Sequence, residues 1–410
     1  AEQAIEKIDE VVDNLEGLNS EEELAAGKAA VVAKEEITTV LDEAQDKILK
    51  TGTNFVVASS GKNAEQLMST LGGTVKIADF IETIDDPSKL TDEKWLIYLK
   101  QSIAKANGDK IHFGFSLYND SNRNYRAINK TALAIKRQLK QKHKVRLVSS
   151  KEPVLSSVIV ATNKLLGNEL LIVKYNNKWL LGMTRAVQDF VKYGQRDMNR
   201  PGRDSKSGML PPKVAQMMIN IGSISRQKTI LDPFCGSGTV LQEAALFGFK
   251  KIYGTDNSHK AVDDSQINLG WLEEQYDLST DISIKKIPVE QLANKLNNTV
   301  DLIVTEPFMG DARLLQRAYH KKDVVPIINE LQSLYQMAFR QFKKIINQNG
   351  KVVFIFPVID LGNEKISTLD TAQISNIGWQ AIKPKIQSKS LSLNGNIIYS
   401  RPGQKIQREI

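Results

Sequence analysis

The chain has 410 residues, 41% of them hydrophobic and 25% charged, with a net charge of +8. This excludes a disordered or fibrous chain, and no run approaches the roughly 18 consecutive apolar residues of a membrane helix. Cys235 stands alone, which excludes an intrachain disulfide; with no signal-peptide pattern at the start, the expectation is a cytoplasmic protein of two or three domains.

The charge is uneven. Residues 1–50 carry 14 acidic and 5 basic side chains, so the other 360 carry 50 basic and 33 acidic. A basic body suits a polyanion, nucleic acid above all; a solvated basic surface is the alternative.

Residues 1–50 are expected to form an acidic helical hairpin. Ile5, Ile8, Val12 and Leu15 recur at helical spacing, and Gly17 and Asn19 interrupt them. Ser20 with Glu23 is a capping box, and Val32, Glu36, Val40 and Glu43 mix apolar with charged positions in the second helix. From 51 to 92 the pattern is α/β: strand 54–59, helix 64–71, and a strand after Gly72-Gly73. A second α/β block spans 93–190. Its order is helix 95–106, strand 111–118, helix 124–142, strand 144–148, helix 154–166 and a hairpin at Asn176-Asn177. A polar connector, 191–213, follows. From 214 to 410 strands and helices alternate, the pattern of a parallel, doubly wound sheet.

In that last block a short apolar strand at 229–231 runs into Asp232-Pro233-Phe234-Cys235-Gly236-Ser237-Gly238-Thr239 and then a helix. Glycines in a strand–turn–helix unit let backbone N–H groups approach a ligand that a Cβ would block. No Gly-Lys-Ser/Thr follows, so this is not a P-loop, and the full dinucleotide fingerprint is absent. Asp256, with Asn257, ends the next strand 18 residues past Gly238, where an acidic side chain holds ribose hydroxyls. A carboxylate at Asp232 suits an ammonium group, so S-adenosylmethionine is the expected cofactor. Asp232, Phe234, Cys235, Gly236, Gly238, Thr239, Asp256, Asn257 and Glu290 are its candidate contacts. Cys235 has no neighbouring histidine and is read as a small turn residue. His112, His143, His259 and His320 show no metal-ligand spacing.

The fourth strand of the block ends in Thr305-Glu306-Pro307-Phe308. Methyltransferases that act on amino groups carry [Asn/Asp]-Pro-Pro-[Tyr/Phe] there. An exocyclic amine is a poor nucleophile, so oxygens must accept its N–H bonds and aim its lone pair while an aromatic ring stacks on the base. Here Pro307 and Phe308 keep the pattern. Thr305 offers a hydroxyl in place of Asn or Asp, and Glu306 replaces a proline. These four are the candidate catalytic residues.

The run 187–197 together with Arg200-Pro201, Gly208-Met209-Leu210-Pro211-Pro212-Lys213, Met218-Ile219-Asn220 and the 232–239 turn resembles THUMP-domain RNA methyltransferases. The branch it is most similar to is the tRNA guanosine-N2 methyltransferases of archaea and eukaryotes, with uncharacterised bacterial relatives. The resemblance covers about residues 53–410. It implies a ferredoxin-like segment at 51–92, a THUMP-like RNA-binding domain at 93–190 and a Rossmann-like class I methyltransferase domain at 214–410. The substrate is then tRNA, and Arg200, Arg203 and Lys213 lie at the entrance to the site. Lys136, Arg137, Lys140, Lys144 and Arg146, with Lys142 and His143, crowd one helix end and the next strand and would meet phosphates. Two further readings stay open: an RNA-binding protein that has lost the chemistry, and transfer to adenine N6.

Overall fold

The structure is a computed structural model and describes residues 20–52, 54–105, 110–203, 209–311, 315, 320–362, 364–385, 392, 395–400 and 406–410. The first expected helix, and residues 204–208 of the connector, lie outside the described residues. The rest divides into two compact units. One takes 20–56, 71–73 and everything from 195 onward; the other takes 57–70 and 74–194.

The chain enters the first unit through α1 (Ser20–Glu43) and β1 (Lys47–Thr51). This helix, expected as part of an acidic hairpin, packs into the core of the first unit. Val31, Val32 and Ala33 are buried in one cluster with Val214, Met217 and Met218. Its acidic look is deceptive because Glu36 is fully buried and works as an acceptor. Glu36 takes the backbone N–H of Gly72 at 2.8 Å, that of Gly73 at 2.9 Å, and the Asn220 amide at 2.7 Å.

The second unit begins with β2 (Val56–Ser59, its first residue in the first unit), α2 (Ala64–Thr70) and β3 (Lys76–Ile84). It continues through α3 (Asp92–Lys105), β4 (Ile111–Tyr118), α4 (Asn122–Leu139), β5 (Val145–Val148), α5 (Ser157–Thr162), β6 (Glu169–Tyr175), β7 (Lys178–Val187) and α6 (Phe190–Gly194). Five strands form a mixed sheet in the order β3-β7-β6-β4-β5. Thus the segment expected to stand alone at 51–92 supplies an edge strand of the same sheet as 93–190. The expected hairpin at Asn176-Asn177 joins β6 to β7, with Asn176 at φ +55°. The helix expected over 154–166 is shorter, because Lys164 turns to φ +55° and Leu165 returns its N–H to Val160.

The first unit resumes with α7 (Pro212–Gly222), β8 (Thr229–Asp232), α8 (Thr239–Leu246), β9 (Lys251–Asp256), α9 (His259–Glu273), β10 (Asp281–Lys286), α10 (Leu292–Lys295), β11 (Val300–Thr305), α11 (Lys321–Ile345) and β12 (Ile346–Phe354). The five strands lie parallel in the order β10-β9-β8-β11-β12. Both faces are covered, as the adjacent buried apolar residues Ile230-Leu231 of β8 and Leu302-Ile303-Val304 of β11 require. Ile230 and Leu302 face the cluster built on α1, α7 and α8, while Leu231 and Ile303 face Leu331, Tyr335, Phe339 and Phe342 of α11.

The alternation of strands and helices does not run to the end of the chain. After β12 come β13 (Phe356–Asp360), β14 (Lys365–Ser367), α12 (Thr371–Asn376), β15 (Ile398–Tyr399) and β16 (Ile406–Glu409). These strands form an antiparallel sheet in the order β14-β13-β16-β15. Antiparallel neighbours need no crossover helix, so the βα rhythm breaks off.

Candidate active site

The carboxyl ends of β8, β9 and β11 open on one cavity of about 580 Å³. This is where open parallel sheets bind ligands, at the point where successive strands diverge to opposite sides. Its walls hold Asp232, Phe234, Cys235, Gly236 and Thr239 from the turn, Asp256 and Asn257 from the end of β9, Glu290, and Glu306, Pro307 and Phe308 beyond β11. The structure therefore brings most of the candidate cofactor contacts together with the candidate reaction motif. Gly238, also among the cofactor candidates, caps α8 behind this wall.

The turn has the backbone the sequence demands. Gly236 and Gly238 sit at φ +51° and +83°, where a Cβ is strained. At Gly238 a Cβ would lie 3.0 Å from Ser265 Oγ, whereas at Gly236 it would meet no protein atom within 4 Å. Asp256 braces this loop: Oδ2 accepts Gly236 N–H at 3.0 Å and Oδ1 accepts Ser258 N–H at 2.9 Å. From α9, Ser265 donates to Gly236 O at 2.7 Å and Asn268 donates to Ser237 O at 2.8 Å. Sequence reasoning missed Ser265 and Asn268, since both act on the turn from the following helix and no local motif marks them.

Asp232 is buried at the floor. Its Oδ1 accepts Phe234 N–H at 3.1 Å and the Thr305 hydroxyl at 2.6 Å. Burial pushes its carboxyl up to about 7; Asp256 and Glu306 add to the rise, and the two hydrogen bonds oppose it. Thr305 is itself fully buried. Its hydroxyl proton is committed to Asp232, and Thr305 is not in the cavity lining. Burial also raises the Cys235 thiol well above its ordinary value, which suits a turn residue and not a nucleophile.

Phe308 presents a ring that is 59% exposed, and its carbonyl accepts the hydroxyl of buried Tyr335 at 2.7 Å. Glu306 Oε1 accepts Arg408 Nε at 2.5 Å. Arg408 lies on β16 and was invisible to motif reading.

The connector is a brace. Arg196 pairs with buried Glu243 at 2.7 Å, and Arg200 is only 2% exposed, with Nη1 donating to Thr239 Oγ1 at 2.6 Å. Arg200 is thus placed to hold the start of α8, not to meet a phosphate. Gly202 exchanges backbone hydrogen bonds with the Asn268 amide, and a Cβ there would come within 2.7 Å of Asp264 O. Arg203 and Lys213 are exposed. In the other unit Arg137, Lys140, Lys144 and Arg146 are exposed and Lys136 is half-buried. That unit also has a cavity of about 660 Å³ lined by Asp120, Arg123, Lys174 and Trp179, and none of these five cations lines it.

A nucleoside with a cationic amino-acid tail fits this lining. A Cβ at Gly236 would fill the cradle, Asp256 and Asn257 offer acceptors for hydroxyls, and Asp232 offers a buried carboxylate. Among the described residues no helix is long and apolar enough to cross a membrane.

Comparison with known proteins agrees with this geometry. The family model for an RMKL-like methyltransferase domain matches residues 200–360, which include the connector, the turn and the 305–308 motif. A second family model, described as DNA methylase, matches 33–267, more than half of the chain, and ends within α9. The tRNA (guanine(10)-N2)-dimethyltransferase of Methanocaldococcus jannaschii is 29% identical over 190 residues, covering 45% of this chain and 48% of the relative. That of Methanothermobacter thermautotrophicus is 35% identical over 139 residues, 34% of this chain and 38% of the relative. The chain thus spans less than half the length of these curated relatives. TrmN from Thermus thermophilus aligns over 93% of this chain and 96% of its own, at 13% identity and a TM-score of 0.48. The chain belongs to the DNA methylase family of methyltransferases, and its residues 200–360 are an RMKL-like, S-adenosylmethionine-dependent methyltransferase domain.

Proposed function

We propose that this protein transfers a methyl group from S-adenosylmethionine to the N2 amine of a guanosine in tRNA. One observation carries the reading: the glycine turn and the Glu306–Phe308 motif share a single cavity, with an exposed aromatic ring at its mouth. S-adenosylmethionine supplies the electrophile, a methyl group on a sulfonium. The chain's own residues do the rest. Asp256 and Asn257 hold hydroxyls, and Asp232 faces the ammonium. Phe308 stacks on the target base, and backbone and side-chain oxygens of 305–308 accept the amine's N–H bonds, so that its lone pair is aimed. The hydroxyl of buried Tyr335, donating to the Phe308 carbonyl, holds the Phe308 backbone.

The tRNA substrate is supported by the relatives named above and by the basic body. The THUMP-like reading of 93–190, as a module that grips the tRNA, rests on the resemblance seen in the sequence and on the exposed cations Arg137, Lys140, Lys144 and Arg146. A tRNA substrate places the work in the cytoplasm. The family name alone favours a second reading, transfer to adenine N6. Against it, the DNA methylase match stops at 267, short of the substrate motif, whereas the RMKL-like match includes it.

The test is mass spectrometry of nucleosides from unmodified tRNA incubated with the protein and isotopically labelled cofactor. N2-methylguanosine is the expected product, and position 10 is the first place to look, because the relatives' names carry it. N6-methyladenosine, or no transfer by a folded, cofactor-saturated protein, overturns the proposal.

A further inference from the structure

Glu306 stands just past the end of β11, in the cavity wall beside Pro307 and Phe308. Its side chain is 14% exposed and that of Arg408 is 10% exposed. Arg408 Nε donates to Oε1 at 2.5 Å, and Oε2 has no hydrogen-bond partner among the described residues. A guanidinium at this distance balances the negative charge and fixes the plane of the carboxylate. An ionised carboxylate can only accept hydrogen bonds. The wall that meets the target base therefore carries a fixed group with acceptors and no donor.

We infer that Glu306, positioned by Arg408, selects guanine by accepting hydrogen bonds from N1–H and the N2 amine of its Watson–Crick edge. This rests on the guanosine-N2 reading above. Guanine presents two adjacent donors on that edge. Adenine presents its N6 amine beside the bare lone pair of N1, and cytosine its N4 amine beside the bare lone pair of N3. An acceptor-only group satisfies guanine and sets negative charge against a lone pair in the other two. The remaining contacts do not discriminate. Phe308 stacks on any base, and the Thr305 hydroxyl is engaged with Asp232. The replacement of proline by Glu306 thus supplies a base-reading group where the Asn/Asp acceptor is missing. Arg408 touches no substrate; it is a positioning residue, brought to Glu306 by the pairing of β16 with β13.

The experiment uses the full chain, S-adenosylmethionine and a tRNA transcript whose modified position carries either guanosine or 2-aminopurine. The analogue keeps the N2 amine, replaces N1–H with a lone pair and lacks O6; the loss of O6 is common to all proteins compared, so N1 is read from the difference between their swap penalties. In the wild type the swap should lower kcat/KM about tenfold or more, as one bidentate base contact is worth. Glu306→Gln should be slowed on guanosine by about tenfold or more, yet lose little on the swap, because its amide N–H can turn to the N1 lone pair. Arg408→Gln should lower kcat/KM on guanosine, and Arg408→Lys should restore much of it. Calorimetry should find cofactor affinity unchanged in all three variants. Glu306→Gln as fast as the wild type on guanosine, or equal swap penalties in both proteins, overturns the inference. If Glu306→Gln does not fold, the wild-type swap decides alone, and no loss there overturns it. A wild type that methylates no guanosine overturns the functional reading and this inference with it, whereas a wild type that methylates guanosine and 2-aminopurine equally well overturns the inference alone.

Discussion

Thr305 shows how a single hydroxyl changes role once the chain is folded. At the end of a strand it looks like a stand-in for the amide that holds a substrate amine. In the structure it is buried and donates to Asp232 at 2.6 Å, across 73 residues of chain. The consequence falls on Asp232, whose carboxyl is pushed up to about 7 by burial. An acid with a raised value is neutral below it and ionised above it. Only the ionised form attracts the cofactor's ammonium group. Affinity for S-adenosylmethionine should therefore weaken as the pH falls below about 7, approaching a tenfold loss per pH unit. Calorimetry from pH 8 to pH 6 reads this directly. Asp232→Asn should bind weakly and show a flat profile; a flat profile in the wild type would remove Asp232 from the ammonium site. In the proposed reaction Phe308 stacks on the target base. Phe308→Ala should leave cofactor affinity unchanged and lower kcat/KM for tRNA by about 10- to 100-fold, the worth of one aromatic stack on a base.

The helix α1 carries a different kind of information. Glu36 takes three N–H donors, two from the backbone at Gly72-Gly73 and one from Asn220 of α7. Removing the acceptor strands those donors in a dry place, at about 1–3 kcal/mol each. Glu36→Ala should destabilise the first unit by about 3 kcal/mol or more, read as a lower urea midpoint with an unchanged slope. Loss of less than about 1 kcal/mol would show that water replaces the carboxylate. This helix also marks the limit of sequence reading. It was legible as a helix from its capping box and spacing, as part of an acidic hairpin, but which of its acids is buried was not. Burial of Glu36 depends on partners 36 to 184 residues away, and no local pattern announces them. The glycine turn was legible for the opposite reason: strand, positive-φ glycines and helix start lie within eleven consecutive residues. Arg408 was not legible, because it reaches Glu306 across 102 residues through an antiparallel sheet that the βα rhythm gave no reason to expect.

Taken whole, the molecule concentrates its cofactor chemistry in one unit and an exposed cationic cluster in the other. Arg137, Lys140, Lys144 and Arg146 are exposed at the end of α4, in the turn after it and on β5, the edge strand of its sheet. Arg200, which the resemblance put at the entrance to the site, is buried and donates to Thr239. If the cluster neutralises tRNA phosphates, each contact releases a counterion, and the logarithm of affinity falls linearly with the logarithm of salt concentration. The triple variant Lys140→Ala, Lys144→Ala, Arg146→Ala should bind tRNA more weakly at low salt and show a slope shallower by about 2, at roughly 0.7–0.9 per lost phosphate contact. Its affinity for S-adenosylmethionine, set in the other unit, should not move. Filter binding between about 50 and 200 mM KCl measures both intercept and slope over the range where such contacts dominate. An unchanged slope would mean that these cations are a solvated face and that the RNA is gripped elsewhere. A changed slope with a lost cofactor site would point instead to general misfolding. The arrangement predicts the third result, a changed slope with the cofactor site intact, because no member of the cluster lines the cavity that Asp232, Asp256 and Phe308 share.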